Sequence, residues 1–157
     1  LSTNYRSPSE VFALASKVIM KVFPDADLPK AVRSTGVEPL LARTTRAGLH
    51  DELRAQLLEL AGQVSGTIGV ICPPSTKDEL AAQLAQARMA GTDRVAIVTP
   101  LEAKGLEYDG VLAVTPDDIV AESPGGVRAL YVALTRPTQR LVTLDAAPDA
   151  GWRKSLE

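Results

Sequence analysis

Cysteine is almost missing from this sequence: Cys72 is the single one among 157 residues. No internal disulfide and no cysteine-rich zinc site can be built from it, and a reducing cytoplasm is the expected setting. Aromatic residues make up only 4%, which leaves the core to Leu, Val, Ile and Ala and offers few rings on which bases could stack. There is no long Lys/Arg run, the net charge is −2 and the pI about 5.5, so the basic footprint of an autonomous nucleic-acid-binding domain is lacking. No apolar run approaches the ~20 residues that cross a bilayer, and no signal-peptide pattern opens the chain, so no membrane partner is expected. Also absent are a G-x-x-x-x-G-K-[ST] phosphate loop and an Asp-Glu pair closing a hydrophobic strand. Alone, then, the chain is not expected to complete a nucleotide site or to hold a metal.

What is present is the balance of a globular domain, with 45% hydrophobic and 23% charged residues and a length that suits one core. Helical and strand patterns alternate with short turns, which predicts an α/β domain with a mainly parallel sheet of about five strands flanked by helices. Ser7-Pro8-Ser9-Glu10 has the form of a capping box opening a helix over 8–22, with Val11, Leu14, Ala15, Val18, Ile19 and Val22 inward. Strands are expected at 38–43, 66–72, 94–99, 110–115 and 139–145. Helices are expected at 49–61, with Leu53, Leu57, Leu58 and Leu60 on the apolar stripe, from Ser75 through Leu80, Leu84 and Ala87 to Gly91, and at 124–135 behind a Ser123 cap. The domain is expected to span 1–147, and the tail from Ala146 reads as a loose end. The Leu1 start and the Leu156-Glu157 ending suggest an excised piece carrying vector residues.

In an open parallel sheet, ligands sit outside the carboxyl ends of strands. The segment from Thr99 to Asp109 follows a strand directly and draws attention for that reason. Thr99, Pro100 and Glu102 make a second capping box, with Gly105 in the left-handed closing position, which places Lys104 and Glu107 on the loop at the ligand edge. An ordinary connection with solvated charges is the plain alternative. Near the other end, Arg136 stands before Pro137, so its helix should stop there and the side chain project beyond the helix end. Its truncation would then change stability by only ~0.5 kcal/mol. The plain alternative is an arginine that satisfies the last carbonyls of its own helix.

Three segments together resemble superfamily 1 helicase-type ATPases of the UvrD/Rep kind. Asn4-Tyr5-Arg6-Ser7 is similar to motif IV of that family, Lys104-Gly105-Leu106-Glu107-Tyr108-Asp109 to motif V, and Tyr131-Val132-Ala133-Leu134-Thr135-Arg136 to motif VI. They span nearly the whole chain in the family's order. The resemblance implies a RecA-like, P-loop NTPase-type sandwich, the second lobe of a two-lobe motor. In it Tyr5 stacks on adenine, Arg6 and Arg136 act on the terminal phosphates as catalytic groups, Glu107 and Gly105 help hold the nucleotide, and Thr99 and Lys104 couple it to nucleic acid. ATP with magnesium would be shared with an N-terminal RecA-like lobe that carries the phosphate loop and the metal ligands, so this piece alone should be inactive.

Within the family a His usually stands where Leu101 is. That departure, with TPLEAKGLEYDGV and LYVALTRPTQRL, most resembles the HelD branch, ATPases of actinobacterial type that act on RNA polymerase. The expected partners are therefore DNA, RNA polymerase, or both. The alternative from a different class is a non-catalytic interaction module that binds RNA polymerase, with ATP only regulating release. A receiver-like signalling domain is disfavoured, since its acidic cluster with a partnered Lys is not at the strand ends. Other residues read as plain structure: His50 lacks catalytic company, Cys72 closes an apolar strand, and Asp117, Asp118 and Glu122 read as an acidic loop. Arg128 and Arg140 flank the last helix, where a partner lobe could meet them.

Overall fold

The computed structural model describes residues 7–25, 28, 33–86, 94–146 and 150–156. A five-stranded sheet divides two helical layers, and every strand pair in it is parallel. The chain runs through α1 (Ser9–Val22), β1 (Leu40–Arg43), α2 (Leu49–Gln63), β2 (Ile68–Ile71) and α3 (Lys77–Gln86). It continues through β3 (Val95–Val98), α4 (Pro100–Ala103), β4 (Tyr108–Val114), α5 (Pro116–Glu122), α6 (Val127–Leu134) and β5 (Pro137–Asp145). The strand order is β1-β5-β4-β2-β3. The α/β fold class expected from the alternating pattern is therefore the one observed.

Alternation along β4 sorts its side chains between two cores, because successive residues of a strand point to opposite faces. Val111 and Ala113 join α1, α4, α5 and α6 on one side, while Leu112 and Val114 join α2 and α3 on the other. In α2, Leu53, Leu57 and Leu60 recur at helical spacing and are at most 1% exposed. Leu58, placed by sequence on the same stripe, is 65% exposed, since it lies a full 100° round the helix from Leu57. Val22, also expected inside, faces solvent at the end of α1, and Phe12 takes an inward place instead. Gly69 in β2 makes room for an aromatic ring: a Cβ there would meet the Tyr108 ring at 2.7 Å.

Four expectations are corrected. The capping box at Ser7 does not form: Pro8 is the cap position, the Ser7 hydroxyl donates across the domain to the Thr135 carbonyl, and Glu10 accepts from the Ser34 hydroxyl and the Thr35 and Gly36 amides. Those loop donors hold the Glu10 carboxyl down at about 2, the Ser34 hydrogen bond contributing most. The last helix starts later than expected, at Val127, after Gly125 and Gly126 at positive φ, and the buried Ser123 hydroxyl caps nothing. The acidic segment is a helix, α5, whose Asp118 pairs with Arg46 and whose Glu122 accepts from the Ser75 amide. Finally, the tail packs: residues 151–156 form 3-10 turns and Trp152 is 5% exposed. Of the helix expected to reach Gly91, residues 87–91 lie outside the described residues.

Candidate functional site

Two strands begin at one edge of the sheet just after the residues singled out by the motifs. Glu107 immediately precedes β4, and Arg136 immediately precedes β5, its neighbour in the sheet. The Tyr108 amide donates to the Arg136 carbonyl at 3.1 Å, which locks the two entry points together. Arg136 then turns back over the end of α6. Its Nε donates to the Val132 carbonyl at 3.0 Å, Nη1 to the Leu106 carbonyl at 3.4 Å and Nη2 to the Thr135 hydroxyl at 3.1 Å. Thr135 donates in turn to the Tyr131 carbonyl at 2.9 Å, so carbonyls in the last turn of α6 are satisfied by side chains that follow it. Ser7, the end of the NYRS segment, reaches the same place through its 2.8 Å hydrogen bond to the Thr135 carbonyl.

Burial pulls the Arg136 guanidinium below its ordinary value, opposed by the Glu107 carboxylate and Tyr131. It stays charged at any physiological pH. Its three hydrogen bonds engage one N–H on each nitrogen of a five-donor group, so N–H donors remain for an oxyanion while the fork is held in place. Glu107 beside it is exposed.

The structure sorts the site residues into separate places. Glu107 and Arg136 come together. Tyr5 and Arg6 lie outside the described residues. Gly105 has the expected left-handed conformation, φ +84°, and closes the turn that leads to Glu107. Thr99 caps α4 in a complete capping box: its hydroxyl accepts from the Glu102 amide, and its own amide donates to Glu102. Thr99 follows the carboxyl end of β3, whereas Glu107 and Arg136 sit before the amino ends of β4 and β5. The expectation that ligands sit at carboxyl ends therefore applies to Thr99 and not to Glu107. Lys104 lines the clefts beside α6, together with Arg128 and Val132. Arg136 itself does not project beyond its helix; it caps it, as in the plain alternative, because three acceptors lie within reach of its fork.

The carboxyl edge is occupied by the protein's own groups. Lys77 Nζ lies 2.8 Å from both Glu102 oxygens, and this pairing, with the Thr99 amide, lowers the Glu102 carboxyl below its ordinary range while raising Lys77. Cys72, at the end of β2, is fully buried and its thiol is pushed up to about 12, chiefly by desolvation, so it is an inert core residue. At the end of β5, Asp145 is 3% exposed and accepts from Trp152 Nε1 at 2.8 Å and Arg153 Nε at 2.6 Å. Asp117 accepts from the Gly151 and Trp152 amides. Sequence reasoning missed this latch; a lone Trp-Arg pair after a Pro-containing link carries no local signal of where it docks. His50 stands 3.5 Å from Glu79, and no cluster of potential metal ligands exists among the described residues.

With this geometry in place, solved structures supply a comparison. The C-terminal domain of a possible DNA helicase from Lactobacillus plantarum WCFS1 superposes with a TM-score of 0.72 at 18% identity, over 98% of this chain and 94% of that one. This chain has the fold of a helicase C-terminal domain. The Sulfolobus solfataricus SWI2/SNF2 ATPase core, solved in complex with double-stranded DNA, aligns with a TM-score of 0.50 at 12% identity, over 97% of this chain but 36% of that one. This chain thus spans about a third of the length of that ATPase core. No protein-family model matches the sequence, and no curated protein is significantly similar to it.

Proposed function

We propose that this chain is the C-terminal motor lobe of an ATP-dependent, UvrD/Rep-like helicase or HelD-like ATPase, completing a nucleotide site shared with an N-terminal RecA-like lobe. The observation that carries the reading is the meeting of Glu107 and Arg136 at one sheet edge, to which Ser7, next in sequence to Arg6, is also tied. Arg136 would meet the γ-phosphate with its remaining N–H donors, and Arg6 would join it. Glu107 would accept from the ribose hydroxyls, and Tyr5 would cover the base. Magnesium ligands would come from the other lobe, since the described residues offer no cluster for one. A guanidinium held by Val132 and Leu106 needs little reorganisation as the lobes close, which is what electrostatic stabilisation of a transferred phosphoryl group requires. The load moved by the motor would be nucleic acid, RNA polymerase, or both.

The test is turnover by the full-length protein. Arg136→Ala should lower ATP hydrolysis by roughly 10³-fold or more, the range of arginine fingers, while nucleotide affinity changes much less. Arg136→Lys should rescue poorly, because an ammonium keeps the charge and loses the fork. Turnover within about threefold of wild type, a span too small for a finger, would leave Arg136 as a helix cap and nothing more. One observation favours the second reading, a polymerase-binding module regulated by ATP: Leu101 is 76% exposed at the place where the resembling family carries its His. Wild-type polymerase binding in a full-length protein that shows no nucleic-acid-stimulated turnover would decide for it.

A further inference from the structure

Two clefts of about 660 and 350 Å³ run together over α6, and both are lined by Val132, whose carbonyl holds Arg136. They share Lys104, Arg128 and Val132 as lining. Their walls are mostly apolar: Ile19, Val22 and Phe23 on the α1 side, Pro100, Leu101 and Ala129 on the α4 side. Val22 is 51% exposed and Leu101 76% exposed. Exposed large side chains clustered along a cleft are unlike scattered surface ones and mark interaction sites.

The charges narrow the occupant. Lys104 makes no ion pair among the described residues. Arg128 has no carboxylate partner among them either and stacks on the Phe23 ring at 4.3 Å. Among the described residues, Asp25 is the only acid lining the larger cleft, and none lines the smaller. Two cations in an apolar trough fit a ligand with apolar side chains and carboxylates. Single-stranded nucleic acid would want open ring faces, but the Phe23 face is taken by Arg128 and Tyr131 is 7% exposed. We infer that this trough is a docking site for an acidic amphipathic segment of a partner protein, held by apolar side chains beside Leu101 and Val22 and by carboxylates on Lys104 and Arg128. The resemblance would give Lys104 to nucleic-acid coupling; its surroundings give it to this surface. The inference goes beyond the motor reading and does not depend on it.

The test uses a fluorescein-labelled peptide with leucines four residues apart and glutamates between them, a helix-in-groove pattern, titrated with the chain and followed by fluorescence anisotropy. Saturable binding is expected, weakened about tenfold or more by Leu101→Asp and by Arg128→Glu, as loss of a central anchor or charge partner does. An analogue with Gln for every Glu should bind more weakly, and oligo-dT should not displace the peptide. Leu101 and Arg128 are exposed, and unchanged Trp152 emission checks that each variant is folded. Absence of saturable binding, equal binding by both variants, or no loss with the Gln analogue overturns the inference. Displacement by oligo-dT overturns it in favour of nucleic acid.

Discussion

The two edges of this sheet treat charge in opposite ways. At the carboxyl edge, Lys77 with Glu102, Arg46 with Asp118, and Arg153 with Asp145 pair within the lobe. At the amino edge, Arg136 is held chiefly by carbonyls, which fix its position and leave its charge uncancelled apart from exposed Glu107. A cation held by neutral acceptors keeps its attraction for an anion, whereas a cation paired with a carboxylate has largely spent it. The carboxyl edge, where ligands bind in many open sheets, thus has these charges paired within the protein, whereas the residues of the proposed site lie at the other edge.

The sharpest way to break that contrast is Asp145→Ala. It would strand Arg153 and the Trp152 indole N–H around a buried site, and loss of one partner of a buried pair costs about 3–5 kcal/mol. Urea unfolding should show a drop of that order, and Trp152, the only tryptophan, should shift its emission to the red. A change below about 0.5 kcal/mol, the level of an ordinary surface substitution, would mean that the latch is not part of the fold.

Next in size is the stability effect of Arg136→Ala. The ~0.5 kcal/mol expected of a projecting arginine no longer applies, because the Val132 and Leu106 carbonyls lose a charged donor. The isolated lobe should lose about 1–2 kcal/mol, read from the same unfolding curves. The turnover test of the proposed function must then be run at a temperature where the variant stays folded.

The smallest effect belongs to the Lys77–Glu102 pair, whose side chains are 32% and 45% exposed. Solvent screening limits it to about 0.5 kcal/mol in a double-mutant cycle. Glu102 is lowered from 4.5, so its contribution is fully present above pH 4.5 and fades as pH falls through the lowered value. Lys77 is raised from 10.5, so its share persists below pH 10.5 and fades as pH rises beyond it. Stability profiles of wild type and Glu102→Gln should converge on acidification. Profiles that stay parallel down to acid unfolding would dismiss the pair.

Much of this was legible beforehand because it is local. Thr99, Pro100, Glu102 and Gly105 lie within seven residues, and the capping box with its left-handed glycine forms as their order predicts. Short apolar runs between turn residues located each of the five described strands, as parallel strands covered by helices on both faces lead one to expect. What failed depended on distant partners. Ser7 prefers the Thr135 carbonyl, 128 positions away, to the amide beside it, and Asp117 serves the tail rather than solvent.

By itself, the sequence determined the α/β class, the strand positions and the Thr99 box, since each follows from neighbours in the chain, while Glu107 and Arg136 stand out through their resemblance to motifs V and VI. Only the tertiary structure decided that these two share the amino edge, that Arg136 is clamped by Leu106, and that Trp152 closes on Asp145. Those outcomes turn on which donor meets which acceptor once strands far apart in sequence lie side by side, and local order along a chain does not encode that.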